Sequence, residues 1–246
     1  MSAPDFILRP DWPAHPRVRA AQSLRAGGVS SGAFATLNIA THVGDDPAAV
    51  MENRGRLGRA LMLPAEPLWL EQVHGSQVFD AEIGSSRTAD AIVTGRPGVV
   101  CAVQTADCLP VLFADAEGTR VGAAHVGWRG LAAGVLEATV GALDRPRQSL
   151  MAWLGPAIGP DAFEVGGEVR EALLARDAGA AAAFVANARG RWQADLFQLA
   201  RRRLTLAGVT RIFGGGLCTF SDAGRFFSHR RDHGSGRMAT LIWLDA

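Results

Sequence analysis

Four short segments of the chain carry residues able to do chemistry. They are LEQVHG with His74, QTADCLP with Asp107 and Cys108, GAAHVGWRG with His125 and Arg129, and FFSHRRDHGSGR with His229, Arg230, Arg231, Asp232 and His233. His74, Cys108 and His125 each stand at or just beyond the end of an apolar run of strand length, so a sheet would gather them at one edge. Two imidazoles and a thiolate are a sound donor set for one zinc ion. Three protein ligands leave the fourth tetrahedral position open for water or substrate, as catalytic zinc requires. The same donors with a distant axial Met would suit copper. Spacing alone leaves the matter open. Gaps of 34 and 17 residues match no local finger pattern, and hydrogen-bonded structural histidines beside an inert buried thiol satisfy the sequence equally well. So does a nucleophilic Cys108 with His125 or His74 as its base.

Candidates for anion binding and proton transfer are few, because all 25 basic side chains are Arg and the chain has neither Lys nor Tyr. Without Lys there is no phosphate-loop lysine and no Schiff-base amine, so phosphate must be held by guanidinium groups or backbone amides. Arg129 falls where a helix should start, which would let its charge and the first helical amides act on one anion. Arg230 and Arg231 lie between His229 and Asp232, and Arg25 precedes the Gly27–Gly28 turn. His42, in THVGDD, either contacts phosphate or a ribose hydroxyl or packs ahead of the helix near Pro47. Asp107 orients a ligand imidazole, carries a proton, or caps the turn before Leu109 and Pro110. Cys101 and Cys218 read as small apolar core residues.

The elements that must position these groups follow from periodicity. Helices are predicted over GDDPAAVMENRGRL, with an Asp cap and Pro47 in the first turn, and over GWRGLAAGVLEATVGAL as one element after His125. Two more are expected over GGEVREALLARD and over DLFQLARRRLTLAG, the latter capped by Asp195. Strands are predicted at 68–73, 91–94, 99–104, 111–114, 121–126, 150–154, 212–213 and 238–244. Several lack alternation, as strands covered on both faces do. Only the stretch from about Val121 to Leu154 has a strand-helix-strand rhythm, so an α+β (mixed α/β) arrangement with a mixed sheet or a pair of sheets fits better than a regular doubly wound fold. With 246 residues and no linker, one domain is expected. A formal charge of +1 offers no net attraction to nucleic acid or to an anionic membrane. No run reaches the roughly 18 residues of a membrane span, the first twenty residues lack the apolar core of a signal peptide, and three cysteines without a CxxC pair suit a reducing compartment. A cytoplasmic protein is expected.

Taken in order, GGVSSGAFATLNIATHVGDDP, LEQVHG, ADAIVT, TADCLPVLF, AAHVGWRGLAAGVLEATV, GPAIGPDAFEVG and CTFSDAGRFFSHRRDHGSGRMATLIWL resemble the bacterial laccase-domain family. Its members were once called multicopper polyphenol oxidases and are now described as purine nucleoside phosphorylases, some as peptidoglycan editing factors. The resemblance runs from about Arg25 to the C-terminus, which sets 1–24 apart as an N-terminal segment and 25–246 as the catalytic domain. It implies a single domain of mixed β-sheet with helices on both sides, and one zinc ion held by His74, Cys108 and His125. It further implies phosphorolysis of adenosine, inosine and methylthioadenosine, with adenosine deamination at the same site. The expected partners are therefore purine nucleosides and inorganic phosphate. His229 departs from the family pattern, where Tyr is common. Two other readings remain: a copper-loaded polyphenol oxidase, against which six His are too few for a full multicopper set, and a cysteine hydrolase or peptidoglycan quality-control factor acting through Cys108.

Overall fold

The computed structural model describes residues 5–246. Among them the strands run β1 (Ile7–Leu8), β2 (Val18–Ser23), β3 (Val78–Asp80), β4 (Ala91–Thr94), β5 (Cys101–Thr105), β6 (Leu109–Asp115), β7 (Val121–Val126), β8 (Leu150–Leu154), β9 (Glu164–Val165), β10 (Phe184–Ala186), β11 (Trp192–Ala194), β12 (Arg211–Gly214) and β13 (Met238–Leu244). The helices are α1 (Pro47–Leu61), α2 (Trp128–Ala133), α3 (Val135–Ala142), α4 (Gly167–Leu174), α5 (Leu196–Leu206) and the single turn α6 (His229–Asp232).

Six strands in the order β12-β8-β6-β7-β4-β3 form the larger sheet, and β1-β2-β13-β5 form the second. A small third sheet is β10-β11-β9. Side-chain alternation explains why the two main sheets stack. On β6, Leu109, Val111 and Phe113 face a core shared with Leu131, Val135 and Leu136 of α2 and α3 and Leu199 and Leu204 of α5. Leu112 and Ala114 face the other way, onto Cys101 and Val103 of β5 and Ile242 of β13. The outer face of the second sheet, with Ala102, Leu241 and Trp243, is covered by Leu57 and Leu61 of α1. Strands buried on both faces therefore carry apolar residues at consecutive positions, which is why their sequence lacks alternation. The result is a mixed α/β single domain with helices outside both sheets, as expected. Of the expected N-terminal segment, residues 7–8 and 18–23 form β1 and β2 of the second sheet, where β2 pairs antiparallel with β13.

Several helix ends follow local chemistry. Asp46 accepts a hydrogen bond from the Ala48 amide ahead of α1, and Asp195 accepts one from Gln198 ahead of α5. Two expectations are corrected. The single helix after His125 is broken at Gly134, whose φ of 94° ends α2 and starts α3. Its apolar spacing runs on across the break because both short helices face one core. Residues 68–73 make no strand: Leu68 and Glu71 form only isolated bridges, to Cys101 and Thr88.

Candidate metal centre

The chain passes from one sheet to the other between β5 and β6, and the connection Ala106-Asp107-Cys108 places Cys108 at the start of β6. β7 runs antiparallel to β6 with His125 opposite Pro110, so the end of β7 and the start of β6 lie at the same edge. His74 arrives from the loop ahead of β3. The side-chain donor atoms of His74, Cys108 and His125 all lie within 4.8 Å of one another. The two imidazole rings meet edge to face with centroids 4.8 Å apart. His125 is 3% exposed, Cys108 is half-buried and His74 is open to solvent. Gly127, which precedes α2, permits this packing, since a Cβ there would stand 3.0 Å from Cys108 Sγ and 3.2 Å from the His74 ring.

Asp90, fully buried at the start of β4, holds the cluster together. Its carboxylate accepts hydrogen bonds from the backbone amides of Val73, His74 and Gly75 at 3.2, 2.9 and 2.6 Å, and faces His125 Nδ1 at 2.8 Å. That carboxylate pins the His74 loop, where His74 has a φ of 60°, and commits Nδ1 of His125 so that Nε2 is left for a ligand. Burial would raise the Asp90 pKa, but the His125 hydrogen bond and the Gly75 and His74 amides hold it below the usual carboxylate range. Burial alone would push the Cys108 thiol up; the His125 charge and hydrogen bonds from both imidazoles outweigh this and bring it down to about 6. His125 is pushed the opposite way, to about 9, because the Cys108 thiolate and Asp90 outweigh its burial. A site that stabilises a thiolate between two imidazoles, one oriented by a carboxylate, suits a divalent cation that replaces the shared protons.

The other sequence candidates divide sharply. Asp107, with a φ of 86°, does not orient an imidazole. Its two oxygens accept from Thr219 Oγ1 and from the Arg230 amide, each at 2.6 Å, so it ties α6 to the β5–β6 connection, and the orienting carboxylate is Asp90. Arg231 donates to the carbonyls of Thr219, Phe220 and Phe226 and pairs with Asp232, which leaves its guanidinium committed to the fold. Arg25 is similarly engaged by the Ala35 and Ala223 carbonyls and lies over Phe227. Arg230 donates to the carbonyls of Ala162 and Glu164 at the edge of the apolar cavity described next. Cys218 is not a core apolar residue: it is half-buried, and its sulfur accepts from Gly159 and Ser221.

Two cavities open on the metal-ligand cluster and share His74, Ala106, Cys108 and His229 in their walls. One, of about 180 Å³, is apolar, with Trp128, Ile158, Phe163 and Leu196, and is rimmed by Arg230 and by the exposed Arg129, which stacks on Trp128. The other, of about 190 Å³, is the more polar of the two and includes His42, Gln72, Gln104, Thr105 and Arg237. Sequence reading missed Asp90 and Arg237. Asp90 lies in the ADAIVT motif and Arg237 at the end of the HGSGR segment; a carboxylate heading an otherwise apolar strand was the available signal for Asp90.

Residues 19–245 match the model of the multi-copper polyphenol oxidoreductase laccase family. The chain belongs to that family. A Pseudomonas aeruginosa protein named purine nucleoside phosphorylase is 57% identical over 96% of this chain and 98% of its own. Purine nucleoside phosphorylase YfiH of Escherichia coli is 54% identical over 97% and 98%. Among solved structures, a Neisseria meningitidis protein superposes with a TM-score of 0.94 at 48% identity, covering 98% of this chain and 100% of that one. YlmD from Geobacillus stearothermophilus gives 0.91 at 31% identity over 100% and 98%. Despite the family's name, the described residues contain one cluster of three or more His, Cys, Asp or Glu able to hold a metal. No helix among them is long and apolar enough to cross a membrane.

Proposed function

We propose that this protein is a zinc-dependent purine nucleoside phosphorylase that releases free base and ribose 1-phosphate from adenosine, inosine or methylthioadenosine, and that it also deaminates adenosine at the same site. The observation that carries this is the convergence of His74, Cys108 and His125 within 4.8 Å at the wall of an apolar cavity large enough for a planar heterocycle. The names of close relatives point the same way. Zinc held by these three side chains would supply Lewis acidity at the cavity wall. Trp128 and Phe163 offer aromatic surface to the purine, Ile158 and Leu196 exclude water from it, and Arg129 and Arg230 bring positive charge to the rim. His229, which lines both cavities, would hydrogen-bond base or sugar, and Asp90 would hold His125 in the tautomer that leaves Nε2 free.

Metal content of protein purified without added metal, paired with an adenosine assay with and without phosphate, tests this. Phosphate-dependent adenine release with about one zinc per chain supports phosphorolysis, and phosphate-independent inosine formation supports deamination. Neither product from a zinc-loaded protein would defeat the reading. Cys108→Ala should abolish metal binding and turnover together. The depressed Cys108 thiol, with His125 and Asp90 in line behind it, favours a second reading as a cysteine nucleophile. Full turnover by metal-stripped protein, lost on alkylation of Cys108, would select that reading.

A further inference from the structure

The polar cavity beside the cluster holds two side chains that the protein leaves unanswered. Thr105, 2% exposed, and Gln104, 7% exposed, each have a buried side-chain oxygen, Oγ1 and Oε1, with no hydrogen-bond partner. Buried polar atoms in native proteins are nearly always paired, so two orphans in one cavity wall call for a ligand. Arg237 faces the same cavity in a comparable state. Its Nη1 donates to the carbonyls of Ser235 and Gly236, while Nε and Nη2 make no hydrogen bond and no carboxylate pairs with it among the described residues. Burial lowers its pKa, and the charges that act against this are Cys108 and Asp107. Asp107 already has both oxygens engaged, and Cys108 belongs to the metal cluster.

The position of Arg237 is fixed by its surroundings. Its amide donates to Asn38 Oδ1 at 2.9 Å, and a Cβ on the preceding Gly236 would stand 2.7 Å from the Phe227 ring and 2.8 Å from Asn38 Cβ. The cavity is also electropositive: besides burial, the charges of Arg237 and Arg54 both disfavour protonation of His42 at its edge. A half-buried guanidinium without a counter-ion, next to a free hydroxyl donor and a free amide oxygen acceptor, matches a tetrahedral oxyanion that still carries one proton, such as hydrogen phosphate, which a guanidinium fork binds in bidentate fashion.

We propose that Arg237, Thr105 and Gln104 form the seat for inorganic phosphate, with Arg237 supplying the charge, the Thr105 hydroxyl donating to a phosphate oxygen, and Gln104 Oε1 accepting the proton that hydrogen phosphate carries. The seat is separate from Arg129 and Arg230, which rim the apolar cavity. Phosphate as the ligand rests on the phosphorylase reading; the existence of an oxyanion seat does not.

Titration calorimetry of the purified holoprotein with inorganic phosphate, run alongside steady-state phosphorolysis of adenosine, tests the assignment. Arg237→Gln should weaken phosphate binding roughly 10- to 100-fold and raise KM for phosphate with KM for adenosine little changed. Thr105→Val should weaken it about 3- to 10-fold while Tm stays level or rises, because the hydroxyl it removes has no partner in the fold. Arg189→Gln, at an exposed guanidinium that lines neither cavity, should leave phosphate affinity unchanged. Retained phosphate affinity in folded Arg237→Gln and Thr105→Val would overturn the proposal, as would adenosine 5′-monophosphate binding through Arg237 when inorganic phosphate does not bind. Arg237-dependent phosphate binding without nucleoside cleavage would uphold the seat and sink the phosphorylase reading. Phosphorolysis indifferent to Arg237 would do the reverse.

Discussion

At the scale of single residues, His74 and His125 are positioned by Asp90, a residue that chemical type did not pick out. His74, Cys108 and His125 were visible in the sequence because imidazoles and thiols are few and each stood at the end of an apolar run. Asp90 was not, because a buried carboxylate reveals itself only through the three loop amides and one imidazole that fold around it. Asp90→Asn keeps the volume but removes the charge and turns one acceptor into a donor facing an N–H group. Zinc affinity, read by competition with a chromophoric chelator, should fall roughly 10- to 100-fold. Stability in chemical denaturation should drop by about 1–3 kcal/mol. Unchanged zinc affinity would reduce Asp90 to a loop anchor. The same logic explains why Arg231 and Arg25 misled: a guanidinium near Gly and His in sequence can be a ligand group or a strut, and only their carbonyl partners distinguish the two.

At the scale of elements, helix caps and long apolar strands were legible, since Asp46, Pro47 and Asp195 act through neighbours in sequence. The break between α2 and α3 was not. Leu131, Val135, Leu136 and Val140 keep helical spacing across Gly134 because both helices cover the same core, so periodicity cannot register a change of direction between them. Short strands such as β3, β9, β10 and β11 were also missed, because two or three residues hold too little pattern and their partners are distant in sequence. The break has a use: it lets α2 start beside Cys108 and His74 while α3 runs along the sheet. A helix former at position 134 should therefore hurt, not help. Gly134→Ala forces a left-handed backbone on a residue with a Cβ and should destabilise the protein by about 1–2 kcal/mol in equilibrium unfolding. A gain in stability would mean that the two helices merge readily and that the break carries no strain.

At the scale of the whole molecule, the His74–Cys108–His125 cluster is set by a hairpin register fixed far from it. β6 and β7 bring Cys108 and His125 together at one end, and at the other Asp115 clamps the turn, some 20 Å away at about 3.4 Å per residue. Its carboxylate accepts from the Thr119 hydroxyl at 2.5 Å and from the Thr119 and Arg120 amides at 2.7 and 2.9 Å, with Arg145 at 3.6 Å. Burial works to raise the Asp115 pKa, but these bonds and the Arg145 charge hold it below its ordinary value. A carboxyl whose pKa is depressed by folding stabilises the native state above its unfolded pKa, and that contribution disappears as pH falls through the folded value. Asp115→Asn should therefore lower unfolding free energy at neutral pH, and the gap to the parent should narrow steadily once pH drops below about 4. Denaturation curves across that range measure it directly. A gap that stayed constant down to the acid limit would show that hydrogen-bond geometry, not carboxylate charge, secures the turn.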